Sequence, residues 1–464
     1  MNPDTAFLQG IPTLGRWLRT GKTSSVELTR LALHLLETRG SALNAVAHLM
    51  PERAISEAEL ADRELKAGRD RGPLHGIPYG AKDLLAAKGA PTEWGSFAHE
   101  GQRFETDAAV VKRLKQAGAV LTAKLSMVSL AGGGGYRFAS ASISGPGRNP
   151  WDRERWAGGS SSGSGATVGG GLLPFAIGSE TWGSIVVPAS FCGVTGLRPT
   201  YGRVPRTGAM ALSWTLDKLG ALARSANDAS LVLAAIAGPD PRDPSSVVGP
   251  YRHPARNRRP LRVGVLREDF SKSGDKEIER AFNAALKALE ATGARLEDAR
   301  LPDLPYGAVA GALVTIEGRA AFENVITGPK LALLNDPEQR TGLAAGMCFT
   351  GVDYLHAMRL RAKCRHGVAG VFQKLDALVA PSLMNVATPI DANLDTAFAD
   401  GGGLLQAAGN CTGIPCLSVP MGYGEGHLPC GLQICAAAGD DATAVMLARV
   451  FQAATRWHKD APPR

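Results

Sequence analysis

Apolar positions along the chain switch repeatedly between helical spacing and short continuous runs. Ser24 and Glu27 stand at capping-box spacing, and the periodic stretch after them runs to Gly40, which predicts a helix. Pro51 opens a second, charge-rich helix, ERAISEAELADRELKAG, that stops at Gly68. The apolar run at 77–81 reads as a strand with Lys82 at its end, followed by a helix over 107–117 and a strand over 119–123. Between 130 and 171 the pattern breaks into a glycine- and serine-rich loop; it resumes over 172–177 and leads to a helix over 227–237. A stretch rich in proline and charge, 239–257, comes next. Beyond it lie a strand over 261–266, a helix over 276–291, apolar runs at 377–380, 416–419 and 432–435, and a closing helix over 441–457.

Strands alternating with helices predict an α/β fold, a central β-sheet sandwiched between helices on both faces. No repeat, heptad seam or low-complexity tail divides the chain, so one domain over 1–464 is expected. Its parts would be an N-terminal helical segment (1–70), a core (71–238), a linker or crossover (239–260) and a C-terminal half that completes the sheet (261–464). At 44% hydrophobic and 20% charged, 464 residues can bury a large core.

The net charge of +8 changes this picture little. Its densest knot, Arg252, Arg256, Arg258, Arg259 and Arg262, carries no aromatic or amphipathic pattern, so it reads as a solvated linker, not a nucleic-acid surface. Seven cysteines between 192 and 435 form no CxxC pair, and their odd number suits reduced, buried thiols. The N-terminus lacks a basic, apolar leader, and no apolar run nears the roughly 20 residues of a membrane span. The expected setting is the cytoplasm, without membrane or nucleic-acid partners. No HExxH, zinc-spaced Cys/His cluster or phosphate loop is present, so neither metal nor cofactor is expected.

Three segments carry candidate chemistry. Gly158 to Gly165, GGSSSGSG, has linker composition, yet Trp151, Trp156 and the apolar run at 172–177 flank it, which places it inside a core region. ETWGSI, residues 180–185, sets Ser184 after a glycine in a tight turn. Such a turn either presents several backbone N–H groups to an oxyanion or caps the next helix. Lys82 is an ordinary surface charge unless its strand is buried; in that case desolvation lowers its pKa and makes it a base near neutrality. No histidine lies between His99 and His253, although a distant one can still join a triad in space. GSSSG centred on Ser161 matches the nucleophile-elbow pattern, but DRER at 152–155 is a poor strand to precede it, so the match is accidental.

Together these segments resemble the amidase signature family. GIPYGAKD (76–83) is similar to its lysine motif. GPGRNPWD (145–152), AGGSSSGSGA (157–166), GSETWGSI (178–185) and FCGVTGLRPTYGRV (191–204) follow in family order. SWTLDKLGALARSANDA (213–229), IAGPDPRDPSS (236–246), GNCTGIPCLSVPMGY (409–423) and LPCGLQI (428–434) extend the likeness over most of the chain. The resemblance implies a mixed central sheet and a catalytic set of Ser184 as nucleophile, Ser160 as bridge and Lys82 as base. It also implies a cis bond at Gly159–Ser160 and an oxyanion hole built from the N–H groups of Thr181, Trp182, Gly183 and Ser184. No cofactor is implied; the partner is a small-molecule amide, and a homodimer would be unremarkable.

This chain departs from the family at three places. Trp182 replaces the usual glycine, Glu180 the usual aspartate, and Val186 and Val187 stand where many members carry an arginine. An apolar pair cannot hold a substrate carboxylate, so a neutral or aryl-containing amide is expected. Tyr136, Trp182 and Val186 are the expected substrate contacts. Pocket walls are expected from 130–136 and parts of 308–362, with Tyr136, Phe322 and Phe349 as aromatic candidates, each at least as suited to core packing. Two alternatives stand beside an amidase: the glutamine-hydrolysing A subunit of a tRNA-dependent amidotransferase, and a non-catalytic binding member of the fold.

Overall fold

The computed structural model describes residues 2, 4–254, 260–267, 275–397 and 403–463. Eleven strands form one mixed sheet: β1 Val46–Leu49, β2 Pro78–Lys82, β3 Val120–Leu125, β4 Phe175–Glu180, β5 Thr195–Arg198, β6 Lys218–Ala223, β7 Arg262–Val265, β8 Arg295–Asp298, β9 Ala377–Pro381, β10 Cys416–Gly424 and β11 Leu428–Ala436. Their spatial order is β1-β3-β2-β4-β6-β5-β10-β11-β9-β7-β8. β2 runs parallel to both β3 and β4, whereas β4–β6, β6–β5, β5–β10 and β10–β11 are antiparallel.

The central strands are covered on both faces, which is why they read as continuous apolar runs. Along β9, Ala377 and Val379 join the larger core, while Leu378 and Ala380 point into a second core with Tyr306, Leu313 and Leu405. That second core is roofed by the helices Tyr306–Ala321, Gly351–Val371 and Gly403–Thr412. The first packs under Lys276–Ala291 and Asp441–Ala454.

The predicted helices after Ser24 and Pro51 are present as Ser25–Leu35, extended by a π-turn to Gly40, and Pro51–Lys66. Both halves of the Ser24–Glu27 capping box are made. The main difference lies in the expected loop over 130–171, where Ser162–Gly169 is a fully buried helix. Its serines and glycines carry no apolar period, so nothing in the pattern announced it. Its Ser164 and Thr167 hydroxyls donate to the carbonyls of Ile177 and Gly163, at 3.1 and 2.8 Å, so its polar groups are satisfied without water. Gly163 is required because a Cβ there would come 2.3 Å from the Ala45 carbonyl oxygen.

Part of the proline-rich stretch is packed against the body: Tyr251 is buried and its hydroxyl meets Ser230 Oγ at 2.6 Å. Arg252 and Arg262 are exposed; Arg256, Arg258 and Arg259 lie outside the described residues. All seven cysteines are free, six buried and Cys348 exposed. No described helix is long and apolar enough to cross a membrane.

Candidate active site

β2 and β4 are parallel neighbours, with Ala81 opposite Ile177, so their C-terminal ends emerge at one edge. Lys82 ends β2, and Ser179 and Glu180 end β4. Ser160 lies in the turn before the buried helix Ser162–Gly169, after a cis Gly159–Ser160 bond, and Ser184 lies in the turn that leaves β4. Lys82 Nζ donates to Ser160 Oγ (2.7 Å) and to Ser179 Oγ (2.9 Å), and Ser160 Oγ donates to Ser184 Oγ (2.9 Å). Lys82, Ser160 and Ser184 are all buried. Burial pulls the Lys82 pKa down to about 7, against the opposing pull of the Asp217 and Glu180 carboxylates. A large fraction of the amine is therefore neutral at physiological pH, as a proton acceptor must be.

The turn after β4 is fixed at its flanks and open at its centre. Glu180 Oε2 accepts the N–H groups of Ile185 and Val186 at 2.8 and 2.9 Å, and its Oε1 accepts from Arg198 Nη1 at 2.7 Å. Burial alone would raise the Glu180 pKa, but Arg198 and Lys218 outweigh it and hold the carboxyl at about 2. Thr181 Oγ1 donates to Asp217 Oδ1 (2.6 Å), whose Oδ2 accepts from the N–H groups of Leu212 and Ser213. Among the described residues, the N–H groups of Thr181, Trp182, Gly183 and Ser184 find no acceptor. Gly183 takes the left-handed conformation (φ 85°), and Trp182 does not, so an L side chain is tolerated at 182. Its half-exposed ring rests on Gly307 and Gly311 of the helix Tyr306–Ala321.

A cavity of about 350 Å³ opens beside the serines, lined by Tyr136, Trp156, Gly159, Trp182, Val187, Leu383 and Gln406, among others. Tyr136 and Trp182, two of the expected contacts, are part of this lining. Val186 is not: it is fully buried in the second core, and Val187, one residue on, lines the cavity instead. The short helix Val186–Phe191 turns successive side chains by about 100°, so only one of the pair can face the opening. Phe322 is buried in the main core and Phe349 is exposed on the surface, and neither lines this cavity. A second cavity of about 280 Å³ reaches Ser179, Thr181 and Asp217, with Arg206 and Arg242 also in its lining.

Sequence reasoning missed Ser179, Asp217 and Gln406. Ser179 precedes Glu180 at the end of a strand parallel to that of Lys82, a signal visible once the strands are paired. Asp217 sits in the family-like segment 213–229 but was not singled out there, and Gln406 arrives from a distant part of the chain with no local mark.

The Amidase family model matches residues 27–445. The A subunit of the glutamyl-tRNA(Gln) amidotransferase of Chloroflexus aurantiacus is 34% identical, with 96% of each chain covered. Its counterpart from Halorhodospira halophila is 36% identical over 96% of this chain and 97% of its own. Among solved structures, the peptide amidase of Stenotrophomonas maltophilia superimposes with a TM-score of 0.82 at 30% identity, covering 97% of both chains. A structure described as a vestigial protein complex bearing on the origins of an s-triazine catabolic enzyme gives 0.86 at 30%, covering 96% of this chain and 98% of that one. Matched along nearly its whole length, the chain belongs to the amidase signature family, enzymes that act on the carbon–nitrogen bonds of amides.

Proposed function

We propose that this protein hydrolyses a small carboxylic amide to a carboxylate plus ammonia or an amine, through an acyl-enzyme on Ser184. The observation that carries this reading is the unbroken, buried line from Lys82 through Ser160 to Ser184. With its amine neutral, Lys82 accepts the proton of Ser160 Oγ as Ser160 accepts that of Ser184, the reverse of the donation seen with a charged lysine. Ser184 Oγ then bonds to the carbonyl carbon, and the displaced electron pair settles on the carbonyl oxygen. The uncommitted N–H groups of Thr181, Trp182, Gly183 and Ser184 receive that charge; one such donor is worth on the order of 10²–10³ in rate. Collapse breaks the carbon–nitrogen bond, and the departing nitrogen takes the proton back from Lys82 through Ser160. Water repeats the sequence on the ester and frees Ser184.

The lining of the cavity beside Gly159 and Trp182 is mostly apolar and holds no described lysine or arginine, which favours a neutral or aryl-containing amide there. A fluorophosphonate probe followed by peptide mass spectrometry tests the reaction. The expected result is an adduct on Ser184 that disappears in Lys82→Ala; an adduct on Ser161 would overturn the assignment.

A second reading is that the amide is glutamine and the chain is the A subunit of an amidotransferase. The names of the curated relatives, 34–36% identical over almost the full length, favour this over a free-standing amidase. The cationless lining of the cavity beside Trp182 points the other way, whereas Arg206 and Arg242 line the second cavity, which reaches Ser179 and Thr181. Glutamine turnover well above that of simple neutral amides, together with co-purifying partner subunits, would select the second reading.

A further inference from the structure

Two polar side-chain tips line the cavity, those of Gln406 and Tyr136. Gln406 is buried, at 3% exposure, and its Oε1 is unpartnered. Its terminal amide abuts Gly183, where a Cβ would come 2.5 Å from Nε2. The Tyr136 hydroxyl lies beside Gly159, 3.2 Å from where a Cβ would stand, and burial raises its pKa so that it stays protonated. Each tip therefore sits next to the glycine that precedes one of the two serines, Ser184 or Ser160.

The backbone around Gln406 is tied to the same turn. Its carbonyl accepts from Asn410 Nδ2 (3.1 Å), Asn410 Oδ1 accepts from Lys218 Nζ (2.9 Å), and Lys218 reaches the Thr181 carbonyl (3.3 Å). A buried glutamine held this firmly with an unmet acceptor is a poor core residue and a good recognition group.

We propose that Gln406 and Tyr136 are specificity-determining residues that bind a second, uncharged amide group on the acyl part of the substrate. The substrate class is then a small diamide, a compound with a second C(=O)–NH unit near the bond that is cut. This inference rests on the amide-hydrolysis reading above. A glutamine amide offers a donor and an acceptor, and turning it end for end exchanges them, so another amide complements it in either sense. Tyr136 supplies a hydroxyl from the facing side. A carboxylate in the same place meets no cation, and the one charged side chain among the described residues lining the cavity is Asp395, already paired with Arg137 at 3.2 Å. An aliphatic group leaves the Gln406 acceptor unsatisfied.

Binding to full-length Ser184→Ala protein tests this without turnover, using succinamide, succinamate and valeramide as matched probes. Succinamide should bind about tenfold or more tightly than the other two, the difference expected of one well-made hydrogen-bond pair. Adding Gln406→Leu or Gln406→Glu should abolish that preference, and Tyr136→Phe should reduce it; melting curves establish that each variant is folded. Equal binding of all three probes, or a preference that survives both Gln406 variants, overturns the proposal. Ser184 labelling in the wild type is scored separately. Absent labelling with the succinamide preference intact would sink the hydrolytic mechanism and leave this binding assignment standing.

Discussion

Lys82 shows what burying an amine does to stability and to its proton. Burial is the largest influence on its pKa and lowers it to about 7. The folded state therefore binds fewer protons than the unfolded state between about 7 and the ordinary lysine value near 10.5, so within that window its contribution to stability rises with pH. Below the folded pKa the penalty is complete. If Lys82 is the base, kcat/KM should fall about tenfold per pH unit below 7 and level off above it, as read from a pH–rate profile. Lys82→Met should abolish turnover yet hold or raise the melting temperature, since a desolvated amine is replaced by an apolar chain of similar length. Glu180 behaves in the opposite way. Its carboxylate joins Arg198 to the N–H groups of Ile185 and Val186 in a site closed to water. Glu180→Gln leaves Arg198 buried without its counter-charge and should cost roughly 3–5 kcal/mol in denaturant unfolding.

At the scale of elements, the helix Ser162–Gly169 decides whether the serines meet. It must approach the β1 entrance, β3 and the helix Val186–Phe191 more closely than side chains normally permit. A Cβ on Gly163 would reach 2.3 Å from the Ala45 oxygen, and one on Gly165 would stand 2.8 Å from Pro188 Cβ. Gly163→Ala has only backbone to push against, so it should destabilise by about 1–3 kcal/mol or more and reduce Ser184 labelling with it. A loss of labelling with unchanged stability would mean the helix matters for something other than packing. The linker composition of this stretch is thus the composition of a close helix–sheet contact. Hydrophobic periodicity could not reveal it, because none of the side chains that matter is large or apolar.

Across the whole molecule, the β5–β10 pairing joins strands more than 200 residues apart in the chain. Asp441 reinforces this joint: it accepts from the Thr200 N–H and hydroxyl at 2.8 Å each and pairs with Arg203 at 2.9 Å. Asp441→Ala should cost about 3–5 kcal/mol, since it strands a nearly buried arginine at the seam between the halves. The unfolding midpoint in urea measures this, and a shift no larger than that of a surface aspartate would show that the seam is held by the strands alone.

What the sequence determined by itself is local or linear. The capping box at Ser24, the charged helix from Pro51 and the strand that ends in Lys82 are written in nearest-neighbour chemistry. The order of motifs was enough to name the family and to single out Lys82, Ser160 and Ser184, which the fold brings within hydrogen-bond reach of one another. The tertiary structure alone decided which of Val186 and Val187 faces the cavity, because that depends on where a short helix begins and not on composition. It also decided that Ser179 meets Lys82, that Asp217 holds Thr181 and that Gln406 lines the cavity. Their positions follow from strand register and helix packing across the sheet, which nearest-neighbour patterns do not record.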